Sequence, residues 1–161
     1  MSKDEESTEP YDEDLTYLVD AVFRLERATA KIGSLRLAPW KLTLSGYAAL
    51  RVLDSRPHLS LAQLSRRCFV KPQTMTRIVT NLVKLGYLDR AVSPNNERAM
   101  SLTLTDHGRS TLRDMDIEVL KVNDAIAKNL DGIDLSVMVR ALRDSARAVE
   151  ADIQELEQPR M

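Results

Sequence analysis

Apolar residues recur at three- and four-residue spacing along most of this chain, and the pattern changes to alternation only between Tyr87 and Leu104. The first helical run extends from Asp12 to about Leu35, with Leu15, Leu18, Val19, Val22, Phe23, Leu25 and Ile32 on an apolar side wider than one partner needs. Leu37-Ala38-Pro39-Trp40-Lys41 reads as a connector. Thr43 or Ser45 caps a second helix, from about Ser45 to Leu53, with Tyr47, Leu50 and Leu53 inward and Arg56-Pro57-His58 at its end. A short helix then closes near Cys68, and the next starts at about Pro72, where a proline lacking N–H fits the first helical position. Met75, Ile78, Val79, Leu82 and Leu85 form its buried stripe, and Gly86 stops it. Tyr87–Arg90 and Met100–Leu104 read as short strands around a turn-rich tip, Ser93 to Arg98. From Thr105 or Asp106 a long helix reaches about Leu130, carrying Leu112, Met115, Val119, Val122 and Ile126. Asp131-Gly132 breaks it, and Asp134 caps a last helix striped by Leu135, Val139, Leu142, Val149 and Ile153.

The predicted fold is mainly α with a small β-hairpin wing: a winged helix-turn-helix whose N- and C-terminal helices form a dimerisation scaffold. The boundaries are an acidic, disordered arm over 1–11, a dimerisation helix over 12–35, a DNA-binding lobe over 36–110 and C-terminal dimerisation helices over 111–157. The terminal helices have too little core of one subunit to cover, so they are expected to interlock with a second copy. An intramolecular bundle on a monomeric lobe is the alternative. Composition agrees: 43% of the 161 residues are hydrophobic but only 4% are aromatic, which favours a helical protein over a β-sandwich. No transmembrane or signal pattern stands out, and one cysteine excludes an internal disulfide framework, so a cytoplasmic protein, nucleoid-associated when on DNA, is expected. The net charge of −1 hides an asymmetry. Ser34 to Ser110 holds 12 Lys/Arg and 4 Asp/Glu, a balance of +8, while the remainder holds 11 and 20, a balance of −9. A basic module on an acidic scaffold suits a nucleic-acid partner.

The chemistry concentrates on the polar face of the helix that opens at Pro72. Gln73, Thr76, Arg77, Thr80, Asn81 and Lys84 offer hydroxyls, amides and two cations, where a merely solvated face is more often rich in Glu and Lys. Such a rod suits the major groove of double-stranded DNA, where base edges offer hydrogen bonds and phosphates line the walls. Gln73, Thr74, Thr76 and Arg77 occupy the first turns, the part that usually reaches bases. Arg77 fits guanine and Gln73 fits adenine, although either can equally hold phosphates. Lys71, Thr80, Asn81 and Lys84 read as backbone or groove-wall contacts.

The order Leu61-Ala62-Gln63-Leu64, Pro72 to Arg77, Leu85-Gly86-Tyr87-Leu88, Pro94 to Ala99 and Leu104-Thr105-Asp106-His107-Gly108-Arg109 resembles the MarR family of bacterial transcription regulators. The last run matches the family's strand exit, Leu-Thr-x-x-Gly-Arg. The resemblance covers roughly residues 40 to 112. It implies a homodimeric repressor on a pseudo-palindromic operator, a very short strand at Leu59-Ser60 beside the wing, and Arg98 as a minor-groove arginine. One departure stands in the wing. The family's aspartate two residues before that arginine is Asn96 here, which keeps an acceptor but loses the charge.

The resemblance also implies a small-molecule effector, often aromatic or anionic, bound between scaffold and lobe. Arg36, Trp40, Lys41 and Tyr47 are the candidates there, with Trp40 as a plug of the junction the competing reading. Cys68 raises a redox-responsive alternative, since Arg66 and Arg67 lower its pKa if it is exposed, but a small buried hydrophobe is the commoner role. With His58 and His107 the only histidines, no metal cluster is expected, and no cofactor site is evident. No nucleophile elbow or phosphate-binding glycine loop appears, so an enzyme is not expected. The other competing class is an architectural or protein-interaction module. The recognition face lacks the apolar anchors that such a role needs.

Overall fold

The computed structural model describes residues 13–93 and 96–157, and within them every side chain except those of residues 13, 16, 93 and 96–99. The acidic arm expected over 1–11 lies outside the described residues. The elements in order are α1 (Glu13–Leu37), a 3₁₀ turn (Ala38–Trp40), α2 (Leu44–Ser55), α3 (Leu61–Arg67), α4 (Pro72–Lys84), β1 (Leu88–Ser93), β2 (Asn96–Leu104), α5 (Asp106–Ala127) and α6 (Leu135–Glu157). The chain divides into two compact units, residues 1–122 and 123–161.

The first unit holds the core. Leu37, Leu50 and Leu53 meet Leu64 of α3, Met75, Val79 and Leu82 of α4, Leu88, Leu102 and Leu104 of the hairpin, and Leu112 and Met115 of α5. Each helix enters where the local chemistry dictates. Thr43 caps α2 by accepting from the Gly46 N–H, 3.4 Å away. Ser60 and Gln63 satisfy each other's backbone N–H groups at the start of α3 in a capping box. Ser60 is thus spent on the helix, and the short strand expected at Leu59-Ser60 shrinks to one antiparallel bridge, Leu59 to Leu102.

α4 ends in a Schellman motif. Gly86 takes φ +77, its N–H reaches Val83 O at 3.0 Å, and the Tyr87 N–H reaches Leu82 O at 2.9 Å. That use of the Tyr87 N–H moves the strand start from the expected Tyr87 to Leu88. The hairpin is also longer than the sequence pattern suggests: pairing runs from Leu88↔Leu104 to Val92↔Met100, then shifts register to Ser93↔Asn96. Ser93 and Asn96 to Arg98 of the expected six-residue tip are thus strand by backbone, with Ser93↔Asn96 paired beyond the register shift.

The strand exit explains its own sequence. The Thr105 hydroxyl donates to Gly86 O at 2.6 Å and accepts from the Gly108 N–H at 2.9 Å, while the Thr105 N–H reaches Tyr87 O at 3.1 Å. Arg109 donates to Leu104 O at 3.1 Å, and the His107 ring stacks on Tyr87 with centroids 5.2 Å apart. Leu104 to Arg109 thereby clasps the end of α4 to the start of α5.

The second unit is simpler. α5 stops at Ala127, short of the expected Leu130, and its C-terminal turn tightens through Leu130 N–H to Ala127 O at 3.0 Å. Asp134 caps α6 as expected, accepting from Ser136 N at 2.8 Å and Val137 N at 3.2 Å. The Ser136 hydroxyl, donating to the same oxygen at 2.6 Å, and then these backbone N–H groups hold its carboxyl below the usual carboxylate range.

Candidate nucleic-acid interface

α4 has two chemically distinct sides. Met75, Val79 and Leu82 are fully buried, with Ile78 and Leu85 packed against the same core. Lys71, Gln73, Thr74, Thr76, Arg77, Thr80, Asn81 and Lys84 are all exposed. The structure thus gathers every α4 candidate on one solvent-facing surface, with Pro72 at its leading end.

Local bonding sorts these side chains. The Thr76 hydroxyl donates to Pro72 O at 2.9 Å and the Thr80 hydroxyl to Thr76 O at 2.8 Å. Each hydroxyl proton is thereby engaged, so these threonines present an acceptor and a methyl group outward. Arg77 has no ion pair among the described residues. It lines a hollow of about 230 Å³ with Lys41, Leu42, Thr43, Gly46, Ile78, Asn81 and Leu82. Lys41, held at φ +58 after the 3₁₀ turn, therefore stands beside Arg77 and Asn81. Asn96 and Arg98 belong to β2 by backbone, but their side chains lie outside the described residues.

The four effector candidates have different partners. Arg36 pairs with Glu118 Oε2 at 3.0 Å, and its Nε is buried with no hydrogen-bond partner among the described residues. Tyr47 donates to Asp116 Oδ1 at 2.7 Å, and Arg51 lies 3.4 Å from the other oxygen of that carboxylate. Burial, then the bond to Asp116, push the Tyr47 phenol up to about 12. Trp40 is half-buried against the core, as a plug would be, and Lys41 faces the α4 hollow instead. The sequence reading missed Arg51, Asp116 and Glu118. Asp116 and Glu118 are half-buried on α5, and only the approach of α5 to α1 and α2 brings these carboxylates to Arg36, Tyr47 and Arg51. Lys121 adds a further bond to Glu118, and these bonds, Lys121's first and then Arg36's, hold the Glu118 carboxyl below its usual range.

Cys68 ends α3 and is half-buried. Burial pushes its thiol up, opposite to the shift that a reactive thiolate needs. Among the described residues no group of His, Cys, Asp or Glu is arranged to hold a metal ion, and no helix is long and apolar enough to cross a membrane.

Known proteins show the same arrangement. Residues 40–99 match the sequence profile of the MarR family. The HTH-type transcriptional repressor Rv2887 of Mycobacterium tuberculosis is 38% identical over 96 residues, which is 60% of this chain and 65% of that protein. The chain therefore spans just under two thirds of the length of that relative. Among solved structures, Bordetella bronchiseptica BpsR, studied for regulation of its DNA binding by 6-hydroxynicotinic acid, superposes with a TM-score of 0.73 at 19% identity, covering 80% of this chain and 92% of that one. A cysteine-to-serine mutant of MarR from E. coli, complexed with operator DNA, gives 0.72 at 18% identity, covering 82% and 95%. Over residues 40–99, from the 3₁₀ turn's Trp40 to Ala99 in β2, this chain is thus similar to the MarR family, and its fold is that of solved MarR proteins.

Proposed function

We propose that this chain is a sequence-specific DNA-binding transcriptional regulator, acting as a dimeric repressor. The observation that carries the reading is the α4 surface. Eight polar candidates from Lys71 to Lys84 are exposed on a helix that Met75, Val79 and Leu82 fix rigidly to the core. Gln73, Thr74, Thr76 and Arg77 read base edges in the major groove. Lys71, Thr80, Asn81 and Lys84 hold phosphates, and Arg98 with Asn96 at the wing enters the minor groove. The back-bonded Thr76 suits an amino donor or a thymine methyl better than an acceptor edge.

Exposed apolar residues support the dimer. Within the first unit Leu15, Leu18, Val19, Val22 and Phe23 of α1 are all more than half exposed, the least of them 53%. Within the second unit α6 has no buried residue, and Leu135, Val139, Leu142, Val149 and Ile153 face solvent. Apolar surface on this scale is covered by a partner of the same kind. A two-fold dimer then reads half-sites about one helical turn, roughly 34 Å, apart.

Release of DNA by a small-molecule effector belongs to the same reading. Its support is the fold shared with BpsR and the orphaned Arg36 Nε at the junction of α1 and α5. A cytoplasmic location follows from action on DNA.

The test is binding of the purified protein to fragments upstream of its own gene, at two salt concentrations with competitor DNA. Retained discrimination with steep salt dependence supports the reading. Binding without discrimination at any fragment points to an architectural module, and no binding at low salt sinks the DNA reading.

A further inference from the structure

Two helical segments of this chain end in the same backbone device, filled by different residues. After α4, Gly86 takes φ +77, with its N–H on Val83 O and the Tyr87 N–H on Leu82 O. After the 3₁₀ turn, Lys41 takes φ +58, with its N–H on Ala38 O at 2.9 Å and the Leu42 N–H on Leu37 O at 3.3 Å. Leu37 and Leu42, the apolar pair that accompanies such a motif, are both buried. Glycine fills the left-handed position without strain, and lysine does not. A side chain kept there against that cost is a reason to ask what it does.

Its surroundings are those of an anion seat. Lys41 lines a hollow of about 230 Å³ with Arg77 and Asn81 of α4, over Leu42, Ile78 and Leu82. Lys41, Arg77 and Asn81 are exposed. Neither cation forms an ion pair among the described residues, and no carboxylate lines the hollow. Two like charges therefore share one opening with nothing of opposite sign between them. The hollow has room for a group several times the size of a water molecule. It flanks the second and third turns of α4, behind the leading turn that carries Gln73 and Thr74. That is the side of a groove-bound helix where the phosphate wall lies, and a lysine supplies the compact point charge that suits a phosphate oxygen.

We propose that Lys41 holds a backbone phosphate of the bound duplex in this hollow, with the Asn81 amide donating to the same phosphate. The inference rests on the DNA-binding reading and adds to it a contact from the α1–α2 connection, outside both the α3–α4 pair and the hairpin. The two backbone bonds of the turn fix where the lysine starts, so Lys41 is a positioning residue. It sets the depth and register of α4 in the groove and reads no sequence. A phosphate at this place also offsets the repulsion between Lys41 and Arg77, which leaves Arg77 free to face the bases.

The experiment titrates the full chain against a labelled upstream fragment and a labelled mixed-sequence duplex, by fluorescence anisotropy, from about 50 mM to about 200 mM salt. In Lys41→Gln the slope of log affinity against log salt should fall by about 0.9 for each protomer bound, which narrows the wild type's advantage about 3.5-fold per protomer over that range. Both duplexes should lose affinity alike, because a phosphate contact carries no sequence information. Lys41→Gly removes the side chain and suits φ +58, so it should keep or raise the melting temperature and still show the lowered slope. Lys41→Arg keeps the charge and should keep the slope. An unchanged slope in Lys41→Gln overturns the proposal. So does a loss confined to the upstream fragment, which would make Lys41 a base-reading residue. A lowered melting temperature in both Lys41→Gln and Lys41→Gly with DNA binding intact would show that the side chain serves the turn alone, and also overturns it. If the unsubstituted chain binds neither duplex at the lower salt, the DNA reading itself fails; binding with an unaltered slope in Lys41→Gln sinks this contact only.

Discussion

Replacing Gly108 by alanine sets local propensity against tertiary packing. Gly108 is the third residue of α5, and alanine is favoured over glycine in a helix by roughly 0.8–1 kcal/mol, so propensity alone predicts a stabilised protein. The tertiary structure predicts the reverse. A Cβ at this position would lie 2.2 Å from Tyr87 O and 3.0 Å from Tyr87 C, both backbone atoms. Ordinary contact begins near 3.4 Å, so either α5 or the Tyr87 peptide must move by about 1 Å. That carbonyl also accepts the Thr105 N–H at 3.1 Å, and Thr105 in turn holds Gly86 O and the Gly108 N–H. Overpacking costs about 1–3 kcal/mol and a broken buried hydrogen bond about 1–3 kcal/mol, for a net loss of about 1–5 kcal/mol after the propensity gain. In a chain of this size that is a fall in melting temperature of roughly 2–20 °C, read by circular dichroism. Because the clasp joins the end of the recognition helix to α5, DNA affinity should fall further than the unfolded fraction accounts for. A melting temperature unchanged or raised would refute the reasoning, since it would mean that the close approach of Gly108 to Tyr87 is not a constraint.

Arg77→Ala should cost about 1–3 kcal/mol in operator binding and relax preference at one base pair, because Arg77 is exposed and has no ion pair among the described residues; unchanged binding in a mobility-shift titration counts against the recognition-helix assignment. Met75→Ala removes a fully buried side chain and should destabilise the lobe by about 2–5 kcal/mol in urea unfolding, with a smaller loss contradicting the core assignment. Tyr47 titrates near 12 in the folded protein against about 10 when unfolded, so the folded state holds its proton more tightly. Its contribution is complete below pH 10 and is lost as pH rises to 12. Tyr47→Phe should flatten the stability curve over that window, and an identical alkaline slope in both proteins would show that the phenol does not contribute. Cys68 should react with a thiol reagent more slowly than free cysteine at pH 8, and rapid labelling of the folded protein would reopen the redox reading.

The sequence by itself determined α4: Pro72 and Gly86 mark its ends, and the spacing of Met75, Val79 and Leu82 decides which face is buried. These signals are local, since a missing N–H, a left-handed φ and a 3.6-residue period act within one element. The N-terminal helix and the Asp134 cap were legible for the same reason. What the sequence did not reveal depends on residues far apart. The extent of the hairpin follows from cross-strand pairing out to Ser93↔Asn96, and Ser60 became a cap instead of a strand because Gln63 answers it. Thr76 and Thr80 look like free donors in sequence but bond their own helix. The partners of Arg36 and Tyr47, Glu118 and Asp116, lie some 70 to 80 residues away on α5, where no local pattern announces them. An exposed charge carries no periodic signature of its partner, so only the folded chain decides which cations are left unpaired, and at Arg77 and Lys41 that decision gives the surface its chemistry.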